Sequence, residues 1–180
     1  EAEARENERN AVLSAFYEYT NTLLCTEARM AGIRSYFATR GIKAEMLPNL
    51  AVGVYPSIEQ VEVWCEVHGV APELRDILMP SSRSKGAAAI VENSIAFFYG
   101  SSYDTFSRIK VRNVMNESAS KNTGDPEKET MWLGKGKASD NGFFLPIASG
   151  AYNDYALAVE GEFDALGLFS LCLQQTTDAK

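Results

Sequence analysis

The apolar pattern of this 180-residue chain changes period near its middle, and that change limits the fold to one that segregates helices from strands. Upstream of Pro80, apolar residues recur every three to four positions. Val12, Phe16, Tyr19 and Leu23 share one helical face, and Met30, Ile33 and Phe37 share another. Gly41 is placed to end the second helix after Arg40, because a residue without Cβ tolerates a left-handed backbone there. Pro48 and the segment Val52 to Pro56 predict an extended connection. A further helix is expected over Ser57 to His68, with Ile58, Val61 and Trp64 or Cys65 inward. Pro72 suits the first turn of a short helix carrying Leu74, Ile77 and Leu78. Pro80, Ser81, Ser82, Ser84 and Gly86 mark a loop.

Beyond that loop the period shortens to two. Asn93 to Gly100 is apolar and aromatic, and the following Ser-Ser-Tyr-Asp predicts a turn. Thr105 to Val114 alternates, with Arg108, Lys110 and Arg112 on one face and Ile109 and Val111 on the other. Asn116 to Lys128 is a polar loop. Thr130 to Leu133 and Gly142 to Ile147 are further strand candidates, separated by the Gly- and Lys-rich segment GKGKASDNG. Phe97, Phe98 and Tyr99 at strand spacing predict core rather than a base-stacking platform, and Trp64 and Trp132 likewise predict packing.

The last segment carries a different signal. Ala156 to Val159 reads as a short buried strand, and Phe163, Leu166, Phe169 (or Ser170) and Leu173 recur at helical spacing. Glu160 is thereby placed at the carboxyl end of a strand, with Gly161 allowing the turn into a helix. In open α/β sheets ligands bind at that edge, and a charge set against a core is costly unless something offsets it. Asp164 stands at the amino end of the helix, where negative charge is also favourable for purely structural reasons. Glu162 is expected to point to solvent.

Charge and cysteine content bound the chemistry. The net charge is −7, yet the segment from Phe106 to Lys137 holds seven basic and four acidic residues, leaving ten and twenty for the rest of the chain. A locally basic surface in an acidic protein can bind anions. Cys25, Cys65 and Cys172 are far apart and His68 is the single histidine, so a Cys/His zinc site is excluded. His68, just before Gly69, is placed to cap a helix end. No apolar run reaches membrane-spanning length, and the cysteine usage suits the cytoplasm. The opening EAEARENERN lacks an initiating Met, which predicts an excised or processed piece of a longer chain, with residues 1–10 a solvated linker or helix extension.

Taken in order, these segments resemble the catalytic core of bacterial-type DNA primases. FYEY near Phe16 and ARMAGIRSYFATRGI (Ala28 to Ile42) are similar to that family's opening helices, and LPNLAVGVYP (Leu47 to Pro56) to the stretch that follows them. IAFFYGSSYDTFSRIKVR (Ile95 to Arg112) resembles the strand-turn-strand that supplies basic residues to the nucleic-acid groove. MWLGKGK (Met131 to Lys137) is similar to the stretch before the Toprim domain, and AVEGEFDAL (Ala158 to Leu166) resembles the Toprim opening, in which a strand ends in Glu-Gly and an Asp follows. The order spans Ala11 to Phe169. The family's later Asp-x-Asp pair is not reached by Lys180.

The resemblance implies an α+β fold: amino-terminal helices, a mainly antiparallel sheet, then the first β-α unit of a Toprim α/β domain. It divides the chain into residues 1–10, a primase-core subdomain over 11–150, and the start of a truncated Toprim domain over 151–180. The implied activity is synthesis of RNA primers on single-stranded DNA from nucleoside triphosphates, with a replicative helicase as a further possible partner. Glu160 would be a metal ligand or general base and Asp164 a second ligand for Mg²⁺ or Mn²⁺, held weakly because the remaining ligands are absent. Arg108, Lys110, Arg112, Lys135 and Lys137 would bind nucleic acid or nucleotide. The alternatives are a non-catalytic single-stranded DNA-binding module and another Toprim enzyme such as a nuclease.

Overall fold

The alternating segments form the centre of the molecule. The computed structural model describes residues 2–80, 87, 90–102, 105–114, 130–134, 142–146 and 159–178. Strands β1 (Val52–Tyr55), β2 (Ser94–Ser102), β3 (Thr105–Arg112) and β4 (Thr130–Trp132) follow one another across an antiparallel sheet. A fifth strand, β5 (Phe143–Phe144), pairs with Tyr99 and Gly100 of β2, on the side where β1 pairs with Ser94 to Phe97. The helices are α1 (Ala2–Thr26), α2 (Ala31–Thr39), α3 (Ile58–Val67), α4 (Pro72–Arg75) and α5 (Glu162–Asp178). The fold is α+β, helices with a mainly antiparallel sheet, but the helices do not all come first: β1 lies between α2 and α3, and α5 follows the last described strand.

Both faces of the sheet are covered. On the first, Leu13 and Phe16 of α1 and Val61, Trp64 and Cys65 of α3 pack against Tyr55, Ala96, Phe98, Ile109 and Val111. On the second, Ile33 and Phe37 of α2 and Leu166 of α5 pack against Val52, Val54, Ile95 and Phe97. Strand alternation splits each strand's residues between the two cores, which is why every residue of β1, and of β2 from Ser94 to Gly100 all but Tyr99, is buried.

The segment Val52 to Pro56, expected to be a connection, is instead largely the paired strand β1, and Gly53 explains why it can be one. A Cβ there would lie 2.3 Å from Thr20 Oγ1, so α1 rests directly on the strand backbone. Asn21 of α1 donates from its amide to the carbonyls of Leu47 (2.9 Å) and Val52 (2.8 Å), satisfying acceptors at this edge.

Local signals account for the helix ends. Ser57 and Gln60 form a reciprocal capping box at the start of α3. His68 ends that helix, its Nδ1 2.9 Å from the Trp64 carbonyl and its ring stacked on Trp64. Gly41 adopts φ +77°, and the Ile42 and Gly41 amides bond back to the carbonyls of Phe37 (3.1 Å) and Ala38 (3.0 Å), a Schellman closure of α2. Residues 2–10, expected to be a linker or helix extension, are the first turns of α1. The expected loops over 81–86 and 116–128, the segment 135–141 and the strand residues 156–158 lie outside the described residues. Val159, expected inside a buried strand, is 40% exposed and pairs with no described strand.

Candidate nucleic-acid interface

The second face of the sheet changes character from one edge to the other. One cross-strand row reads Val52, Phe97, Lys110, Trp132, and the next reads Val54, Ile95, Arg112, Thr130. Side chains directly opposite each other in an antiparallel sheet share a face, so the apolar half under α2 and α5 runs without a break into a cationic half on β3. Arg108, Lys110 and Arg112 are all partly buried, while Ile109 and Val111 between them are buried in the opposite core, as is Phe106, which precedes them across a register shift in the pairing with β2.

Each cation of the row lies against an aromatic ring. The guanidinium carbon of Arg108 is 5.2 Å and Lys110 Nζ 5.8 Å from the centre of the Trp132 ring, and the guanidinium carbon of Arg112 is 5.5 Å from that of Phe163. Arg108 Nε also donates to the Leu133 carbonyl at 3.3 Å. Cation–π contact of this kind holds a long flexible side chain over an apolar base. Arg40, at the end of α2, reaches the same Phe163 ring at 5.5 Å and donates to the Tyr36 hydroxyl at 3.0 Å.

The first turn of α5 closes over this face. Phe163 packs edge-on against Tyr36 and Phe97, each with ring centres 5.4 Å away, and Leu166 is fully buried one turn further on. The Ser170 hydroxyl, two turns from Glu162, donates to the Gly41 carbonyl at 2.9 Å. Glu162, expected to point to solvent, points inward instead. Its Oε1 accepts from Lys110 Nζ at 2.6 Å and from the Tyr99 hydroxyl, and its side chain is 10% exposed. The physical reason is helical phase: Glu162, Leu166 and Ser170 are spaced four apart and share the face that meets the sheet.

Electrostatics follow from that placement. Burial pushes the Glu162 carboxyl up, but hydrogen bonds from Lys110, Tyr99 and its own backbone amide, together with the Lys110 charge, outweigh it and hold the group below its ordinary value. The Tyr99 phenol is pushed up, first by burial and then by donating to a carboxylate. Phe97 and Phe98 are buried as core, whereas Tyr99 packs against the second core half-buried, with its hydroxyl on Glu162 and its ring 4.7 Å from Trp132. Trp132, expected to be a packing residue, is also the base on which two cations rest.

Glu160 and Asp164 are both exposed, two residues to either side of Glu162. A Cβ on Gly161 would lie 3.4 Å from Asp164 Oδ2, so that carboxylate folds back toward the open end of α5, where helix amide groups favour negative charge. Both are hard oxygen donors of the kind Mg²⁺ takes together with water. Among the described residues, no three His, Cys, Asp or Glu side chains are grouped to hold a metal. Lys135 and Lys137 lie outside the described residues. No described helix is long and apolar enough to cross a membrane. Comparison with protein-family models, curated proteins and solved structures finds no match.

Proposed function

We propose that this chain is part of the catalytic core of a primase-type nucleotidyltransferase, which synthesises RNA primers on single-stranded DNA from ribonucleoside triphosphates. The observation that carries the proposal is the contact between Glu162 and Lys110, 2.6 Å long. It fastens the start of α5 to the basic face, and Glu160, two residues earlier in the chain, is exposed. A polymerase of this kind needs a carboxylate within reach of a charged backbone, and this junction provides the neighbourhood. Alternate residues on a strand stand about 7 Å apart, comparable to successive phosphates of a single strand, so the row on β3 is suited to track a template.

In this reading Glu160, supported by Asp164, would be a ligand for Mg²⁺ or Mn²⁺, which when bound would neutralise triphosphate charge and favour attack by a primer hydroxyl. Arg108 and Arg112 orient the template backbone. The sequence order from Ala11 to Phe169, which resembles the primase core, supports the same assignment.

The test is primer synthesis by the protein whose reading frame contains this segment, with a single-stranded template, labelled ribonucleotides and Mg²⁺ or Mn²⁺. Glu160→Gln is expected to lower incorporation by about 10²–10⁴-fold, the range for losing a positioned acid–base group, with oligonucleotide affinity unchanged. Full activity in Glu160→Gln would overturn the assignment. Cleavage of nucleic acid without extension would replace it with a nuclease, and binding without either reaction with a single-strand-binding module.

A further inference from the structure

We infer that Glu162 occupies the phosphate seat of Lys110, so that the middle cation of the row is withheld from nucleic acid until this carboxylate turns away. The inference rests on the nucleic-acid reading above and goes beyond it by naming the group that holds Lys110 back.

The argument is geometric. A phosphate oxygen bound on this face would be held by the ammonium of Lys110 and the hydroxyl of Tyr99. Both already converge on one atom, Glu162 Oε1. The pair is screened from water, with side-chain exposure of 24% for Lys110 and 10% for Glu162. A phosphodiester brought to Lys110 therefore meets an anion that is already bound, and two anions on one ammonium in a partly dry site repel.

The seat can open without unfolding the core. Glu162 is the first residue of α5, preceded by the bend at Glu160 and Gly161, whereas Leu166 and Ser170 anchor the helix from the next turns. Rotation of the Glu162 side chain alone would release Lys110. The occupant this suits is the phosphodiester backbone of a single strand, whose charge competes with the carboxylate like for like.

The experiment is fluorescence anisotropy of labelled oligo-dT against the protein over a range of salt concentrations. Each neutralised phosphate contributes about −0.7 to the slope of log affinity against log salt for single strands. Glu162→Gln is expected to steepen the slope by about 0.7 relative to wild type, from the one cation released. The same variant should bind roughly tenfold tighter at low salt. Combining Lys110→Met with Glu162→Gln is expected to abolish both gains. Glu162→Gln keeps the shape and an acceptor for Tyr99. Should it fail to fold, Tyr99→Phe, which removes one of the two donors holding the carboxylate, is expected to give a smaller gain of the same sign.

If neither Glu162→Gln nor Tyr99→Phe tightens binding, or if the gain persists when Lys110→Met is added to Glu162→Gln, the inference is wrong while the nucleic-acid reading stands. If no variant binds oligo-dT at any salt concentration, the nucleic-acid reading falls, and the inference with it.

Discussion

Replacing Leu166 by Ala should undock α5 from the sheet before it unfolds the protein. Leu166 is fully buried in the core between α2 and the second sheet face. Truncating such a leucine costs about 2–5 kcal/mol, from the lost burial of the removed atoms plus the cavity they leave. The helix has little room to settle into that cavity. It is held one turn away by Phe163 between Tyr36 and Phe97, and a Cβ on Gly167 would already lie 4.0 Å from the Arg40 carbonyl. A middle value of about 3 kcal/mol corresponds to roughly a hundredfold shift in the docking equilibrium. Hydrogen exchange read by mass spectrometry separates docking from global unfolding. The α5 amides should lose about two orders of magnitude of protection, while those of β2 and β3 change by only a few-fold. Unchanged α5 protection would mean that Leu166 does not hold the helix. An equal loss across the sheet would mean that α5 opens only with the whole domain, and would refute the separate undocking step.

Two further outcomes follow from the same packing. Gly53→Ala places a Cβ 2.3 Å from Thr20 Oγ1 and 2.9 Å from the Thr20 backbone carbon, so it should cost about 1–3 kcal/mol. The melting temperature should then fall by several degrees, and trimming Thr20 to Ala, which removes Oγ1, should not restore it, because the Thr20 Cβ and backbone carbon are also struck; an unchanged melting temperature would show that α1 does not sit on β1 as described. The Glu162 carboxyl lies below its ordinary value of 4.5, so the unfolded chain takes up that proton more readily than the folded one. The stability this group contributes is present above 4.5 and is lost as the pH falls through its lower folded value. Urea midpoints of wild type and Glu162→Gln should therefore converge in acid, and curves that stay parallel from pH 6 to pH 3 would refute the assignment.

The elements that local chemistry specifies were readable in advance. Gly41 as the left-handed residue after α2, Ser57 before α3 and Pro72 at the start of α4 each act through contacts within a few residues. The alternation along β3 was equally plain, because Arg108, Lys110 and Arg112 cannot share a face with Ile109 and Val111 on a pleated strand. β1 was not readable. Its glycine and following proline are turn signals when viewed locally, and only the approach of Thr20 turns Gly53 into a requirement of packing. That approach links residues more than thirty positions apart, so no short window of sequence contains it.

The same distinction separates Glu160 from Glu162. Glu160 stands out in the sequence because a carboxylate between an apolar run and a helix invites a chemical explanation. Glu162 looks like an ordinary first-turn acid, which a helix amino end accepts without further cause. Yet the apolar spacing already implied its direction, since Leu166 and Ser170 lie four and eight residues ahead on the buried side. What the spacing did not contain was the object it meets: the cationic half of a sheet face whose other half is core. A carboxylate turned into an apolar core would be neutralised or expelled. Turned toward Lys110 and Tyr99 it stays charged, and the basic row becomes both a docking surface for α5 and a candidate surface for nucleic acid. Under the proposal those two uses would compete for one ammonium group, the Lys110 Nζ that already holds the Glu162 carboxylate.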